Sequence, residues 1–157
     1  MNTIGRLYLK FAALASSLKS PLLLAVRLYW GWQLVQTGWG KLQHLDRVTA
    51  FFSSLNIPLP GLNAHFVAGL EVVGGVALIL GVASRLFGLL LTIDLLVAYW
   101  TADRMALTSI FSDPGKFYGA DPYTFLFAAL IVLIFGAGLF SIDAWINKAY
   151  GERIVRQ

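Results

Sequence analysis

The chain has 157 residues, of which 58% are hydrophobic and only 13% charged, and its mean hydropathy is +0.72. Soluble domains carry about 25% charged residues, so the deficit points to lipid, and the length suits one compact domain without a separate soluble catalytic one. The net charge of +4 is spread over loops and termini, which fits membrane topology and an anionic lipid surface rather than nucleic acid, and the lack of cysteine excludes thiol nucleophiles, iron–sulfur clusters and thiolate-bound zinc.

Residues 1–19 do not read as a cleaved signal peptide, because a longer apolar span follows and no small-residue cleavage site is evident. Ile4, Leu7, Tyr8, Phe11, Leu14 and Leu18 recur at helical spacing, with Arg6, Lys10 and Lys19 as the polar residues. This pattern predicts an amphipathic helix on the membrane surface, or else a leader whose apolar side packs on the bundle. Residues 20–145 then predict an all-α membrane protein, a four-transmembrane-helix bundle with spans at 21–42, 62–82, 86–102 and 123–139. At 1.5 Å per residue each span covers about 25–30 Å, enough for the hydrocarbon core. Pro21 suits a helix start. The link from Ala83 to Leu86 forces a tight antiparallel turn, and Gly136 and Gly138 mark the end of the fourth span. Residues 146–157 read as a tail.

The positive-inside rule sets orientation. Arg6, Lys10, Lys19, Arg85, Lys148, Arg153 and Arg156 stand on one side against Lys41, Arg47, Arg104 and Lys116 on the other, so both termini are expected in the cytoplasm. Two longer connections, 44–63 and 103–122, face outward and mix apolar side chains with turn formers such as Pro58-Leu59-Pro60-Gly61 and Asp113-Pro114-Gly115. They are expected to lie on the membrane surface as a lid.

Three spans hold an ionisable residue: Arg27, Glu71 and Asp94. Each costs about 2.5–3.5 kcal/mol or more at the centre of a lipid-facing helix, so all three are expected to point into the bundle. Arg27, Gly31, Leu34 and Gly38 share one face of the first span, and Glu71, Gly74, Gly75, Leu78 and Arg85 a comparable face of the second. Glycines at such spacing let helices approach closely. A bidentate Arg27–Glu71 pair is the expected contact. One arginine cannot balance two carboxylates, so Asp94 either carries its proton or meets Arg85 or a donor such as Tyr29, Gln33 or Tyr99. Two readings stand side by side: a structural ion pair that sets helix register, and a polar pocket that binds a small lipid-soluble molecule or relays protons. In the second, Glu71 and Asp94 are the proton-relay candidates and Arg27, Trp30, Gln33, Glu71 and Tyr99 the ligand-binding ones. Trp30 and Trp32 could flank an aromatic ring such as a quinone head, though tryptophans packed against lipid give the same pattern. Gly31, Gly38, Gly74, Gly75 and Arg85 are the expected helix contacts. His44 and His65 fall at the first outer connection, so haem ligation at membrane depth is not expected and no metal site is proposed.

Several fragments together resemble the DoxX family of small four-helix bacterial membrane proteins. They are Arg27-x-x-x-Gly31, Gly38-x-x-Lys41-Leu42, Phe51-Phe52 with Pro58-Leu59-Pro60, Glu71-x-x-Gly74-Gly75, Leu80-Gly81-x-x-Ser84-Arg85, and the glycine-rich close from Gly136 to Asp143. The likeness covers about residues 22–145, and Arg27, Lys41, Glu71, Arg85 and Asp143 match the family pattern. Leu139 stands where an arginine often follows the second glycine. The resemblance implies a role in quinone-linked membrane oxidoreductases, including subunits of thiosulfate:quinone oxidoreductase, and in membrane complexes for oxidative stress. It does not by itself make any of these residues catalytic.

The expected function is therefore a subunit or anchor of a quinone-linked oxidoreductase complex in the bacterial inner membrane. Quinone is the expected cofactor, none being bound covalently or through Cys or His, and the expected partners are membrane lipid and either a protein of that complex or further copies of the chain. The alternatives are a non-catalytic assembly or scaffold protein with structural ion pairs and, less favoured, a small-molecule carrier.

Overall fold

The computed structural model describes residues 3–154. Residues 1, 2 and 155–157, Arg156 among them, lie outside the described residues, as do the side chains of Thr3 and of 151–154, including Arg153. Among the described residues the elements are all helical: α1 (Thr3–Ser17), α2 (Lys19–Gln43), α3 (Leu45–Ser54), α4 (Pro60–Leu80), α5 (Ser84–Thr101), α6 (Arg104–Thr108), α7 (Pro114–Tyr118), α8 (Pro122–Phe135) and α9 (Ile142–Ile154).

Only Leu18 separates α1 from α2. Pro21 has no N–H to return to the Ser17 carbonyl, so the helical ladder is interrupted there, and the proline occupies the first turn of α2, where its missing donor costs little. Three segments are long and apolar enough to cross a membrane: Ile4–Gln43, which runs through α1 into α2, Pro60–Leu80 and Ser84–Thr101. The fourth apolar helix, α8, has 14 residues. It stops at Phe135 rather than continuing to 139 because Gly136 and Gly138 both adopt φ of +75°, a left-handed backbone that ends a helix.

The outer connections carry helices of their own, α3 in the first and α6 and α7 in the second. The turn between α4 and α5 spans only residues 81–83, with Gly81 at φ +70° and Ala83 at +44°. Arg85 therefore belongs to the first turn of α5. The expectation that it extends the Glu71–Gly74–Leu78 face of α4 is corrected, since the left-handed turn starts a new helix before it.

Helices α2, α4, α5 and α8 pack as a ring of antiparallel neighbours, with α3 against α4. The centre holds Leu34, Leu78, Leu91, Leu95, Tyr99, Leu126, Ala129 and Val132. α2 buries Leu23, Arg27, Gly31, Leu34 and Gly38, one stripe at helical period. α2 and α4 touch backbone to backbone: a Cβ on Gly75 would lie 2.6 Å from the Gly31 carbonyl oxygen, and one on Gly31 would lie 2.9 Å from that of Gly75. Such contact exchanges lipid for close van der Waals packing, the main source of helix association in a membrane. The outward surface of the long helices is largely apolar, with Leu28, Trp32, Phe66, Ile93, Leu96 and Phe127 all exposed. A soluble monomer does not carry that much contiguous apolar surface.

Candidate functional site

Two polar groups lie inside this apolar frame, one at the C-terminal end of α4 and one near its middle. The first surrounds Arg27, which is 1% exposed. Where α4 stops at Leu80, its last carbonyls lose their helical partners. Where α8 stops at Phe135, the non-helical chain leaves more of them. Arg27 supplies donors to both. Its Nε donates to the Leu78 oxygen at 2.8 Å, Nη2 to Ile79 at 3.1 Å, and Nη1 to Phe140 at 3.1 Å and to Ala137. A guanidinium at a helix C-terminus also meets the negative end of the helix dipole. Non-helical backbone survives at membrane depth only where protein satisfies it, and Arg27 does so.

Asp143 closes the same knot. Its Oδ1 accepts from the Ala83 N–H at 2.8 Å and its Oδ2 from the Ser84 N–H at 2.9 Å, so it caps α5. Its own N–H donates to the Gly81 oxygen at 2.9 Å. Gly81 fits because a Cβ there would lie 2.7 Å from Arg27 Nη2.

The expected Arg27–Glu71 pair does not form. Gly38 is the residue level with Glu71, since a Cβ on it would lie 2.8 Å from the Glu71 Cβ. Gly38 is eleven residues beyond Arg27 on α2, about 16 Å along the helix. Helical periodicity gives the face on which a charge lies, while its partner depends on how far one helix is shifted along the next.

The second group is built on Glu71. Lys41, in the last turn of α2, places Nζ 2.6 Å from Glu71 Oε1, with side-chain exposures of 34% for Lys41 and 6% for Glu71. Glu71 Oε2 is buried and, among the described residues, has no hydrogen-bond partner. Asp94, half-buried on α5, interacts electrostatically with both Glu71 and Lys41. Helices α2 and α4 thus bring Lys41 and Glu71 into contact, with Asp94 of α5 within electrostatic range of both. Lys41 is not among the expected site residues, although its place three residues after Gly38 puts it on the buried side of α2.

Tyr99 does not serve Asp94. It is buried, donates its hydroxyl to the Phe117 oxygen at 2.8 Å and stacks on the Phe117 ring at 5.1 Å, tying α5 to α7. Arg85 is nine residues before Asp94 on α5, about 13 Å away along the axis, and does not reach it. Trp30 is half-buried, edge-on to Tyr29 at 4.8 Å and to Phe125 at 5.4 Å. Gln33 is half-buried too. Gly74 faces Leu91 of α5. His44 and His65 are exposed, each with Nδ1 near the carbonyl oxygen four residues back. Among the described residues no three His, Asp or Glu side chains gather in a way that could hold a metal.

A DoxX family model matches residues 22–104, a stretch that includes Arg27, Lys41, Glu71, Arg85 and Asp94 and ends before Asp143. A protein of Bacillus subtilis (strain 168) named "Putative oxidoreductase CatD" is 27% identical over 111 residues, covering 71% of this chain and 76% of that protein. No solved structure matches the chain.

Proposed function

This chain belongs to the DoxX family, and from that premise we propose that it is a membrane subunit of a quinone-linked oxidoreductase complex whose own contribution is the Lys41–Glu71–Asp94 site. The observation that carries the reading is the buried, unpartnered Oε2 of Glu71. A buried acceptor without a donor costs about 1–3 kcal/mol, more when charged, and replacing a buried ion pair by apolar side chains is often neutral or stabilising. Stability alone gives no reason to keep such a group at this depth. The name of the Bacillus relative supports oxidoreduction as the reaction class.

The donor set suits a quinone head group. A quinone accepts hydrogen bonds when oxidised and donates them when reduced, and its reduction takes up electrons and protons in equal number. Lys41 can donate to a carbonyl oxygen while Glu71 and Asp94 can accept from a hydroxyl. The chain has no cysteine, so thiolate-held metal centres belong to a cofactor-bearing partner, which supplies the electrons. Glu71 and Asp94 pass the protons, with Lys41 holding Glu71 in place.

In this reading α8 forms a fourth span. Its 14 residues rise about 21 Å, and the bent segment that follows completes the crossing of a core of about 30 Å. Residues 3–19 lie on the membrane surface as an amphipathic helix, 20–145 form the bundle and 146–154 belong to the tail, with both termini on the cytoplasmic side of the bacterial inner membrane. A purely structural, scaffolding role is the second reading, favoured by the four backbone carbonyls that Arg27 satisfies.

Native mass spectrometry of the complex, gently extracted from its own membrane, tests the proposal. A cofactor-bearing polypeptide and a bound quinone mass are expected, with Glu71→Gln losing the quinone and lowering turnover about 100-fold or more while the folded protein remains. A homo-oligomer carrying phospholipid alone, or unchanged turnover in Glu71→Gln, would leave the scaffold reading in its place.

A further inference from the structure

At the end of the bundle where Lys19 and Arg85 lie, a cleft of about 570 Å³ opens between the start of α5, the segment after α8 and the start of α9. Arg85 lines it and is exposed, with its guanidinium next to Gly136, where a Cβ would lie 3.4 Å from Nε. Among the described residues it forms no ion pair. A second cation stands against the same wall, because Lys19 Nζ sits 5.2 Å from the ring centroid of Phe135, another lining residue. Ser84, also in the wall, is 1% exposed, and its Oγ has no hydrogen-bond partner.

The acid in the wall is Asp143. Both of its oxygens accept from the backbone N–H groups of Ala83 and Ser84, and Arg27 lies close enough to interact with it. Its charge is therefore compensated within the knot, and Arg85 and Lys19 remain as cations facing outward. The rim is apolar: Leu86, Phe135 and Ile146 are all exposed. Cations and a hydroxyl over a cleft suit a phosphate. An apolar rim continuous with the outer faces of α5 and α8 suits acyl chains, which a free phosphate lacks.

We propose that this cleft holds the phosphate of an anionic phospholipid. Arg85 and Lys19 pair with the phosphate, the Ser84 hydroxyl is the third donor in the wall, and the acyl chains run along the exposed apolar side chains of α5 and α8. The site shares no residue with the Lys41–Glu71–Asp94 group, so either reading can fail without the other.

The test is lipid retention by the full chain in detergent, read by native mass spectrometry after adding phosphatidylglycerol, phosphatidylcholine or inorganic phosphate. Phosphatidylglycerol is expected to be retained in preference to phosphatidylcholine. A basic residue at an anionic surface is worth about 1 kcal/mol, a factor of about five. Arg85→Gln is therefore expected to weaken retention about fivefold and Lys19→Gln by a similar factor, while Arg104→Gln at the opposite end changes nothing. Tryptophan fluorescence establishes that each variant is folded, and Lys19→Gln carries the test alone if Arg85→Gln is not. Equal retention of the two lipids, or wild-type retention in a folded variant, overturns the proposal. So does a phosphate adduct lost in both variants without any preference for phosphatidylglycerol.

Discussion

The Arg27 knot and the Glu71 group are both buried polar clusters on α2 and α4, yet they are finished differently. Arg27 spends its donors on four carbonyl oxygens, and Asp143 spends both its oxygens on two backbone N–H groups. The Glu71 group has two carboxylates for one lysine and leaves Oε2 without a donor. A saturated cluster stabilises the helix ends that it caps. An unsaturated one costs stability and keeps hydrogen-bonding capacity for something else. Burial of a charge is common to both, so completeness of hydrogen bonding is what separates the two clusters, and the proposed function rests on that difference.

Removing Arg27 should show the largest effect. Arg27→Leu leaves the carbonyls of Ile79, Ala137 and Phe140 without its donors at membrane depth, and a loss of about 3–5 kcal/mol, seen as a collapse of folded yield after detergent extraction, is expected. A variant with a near wild-type thermal midpoint would break the contrast. Gly75→Val comes next. Its side chain would enter a space where a Cβ already lies 2.6 Å from the Gly31 oxygen, so α2 and α4 must part, at about 1–3 kcal/mol. A lowered midpoint in thermal unfolding followed by tryptophan fluorescence would show this.

Asp143→Ala removes a helix cap and should cost about 1–2 kcal/mol, with hydrogen exchange rising first at the amides of Ala83 and Ser84. The smallest stability effect is expected where the functional effect is largest. The double change Lys41→Met with Glu71→Met should alter the thermal midpoint little or raise it, while quinone-linked turnover falls with it. If the double change unfolds the protein as Arg27→Leu does, the Glu71 group is as structural as the knot.

Much of this was legible in the residues. The stripe of Arg27, Gly31, Leu34 and Gly38 is the buried face of α2, and Glu71, Gly74, Gly75 and Leu78 are buried on α4. Both follow from a period of 3.6 residues and from the cost of charge in lipid. The partners were not legible. The Arg27–Glu71 expectation joined two buried charges of opposite sign on facing helices, but Arg27 meets the last turn of α4 and Glu71 lies near its middle.

Composition and periodicity alone determine that this protein is helical, largely apolar on the outside of its long helices, and charged within them chiefly where helices face one another. These are local properties of a chain meeting its solvent, and each can be read one helix at a time. The tertiary structure decides the rest: Arg27 meets carbonyls, Lys41 meets Glu71, and Tyr99 turns to Phe117 rather than to Asp94. Those pairings depend on the axial shift between helices and on where positive φ at Gly81, Gly136 and Gly138 stops them. Such breaks expose carbonyls that a distant side chain must satisfy, and no helical period specifies which one.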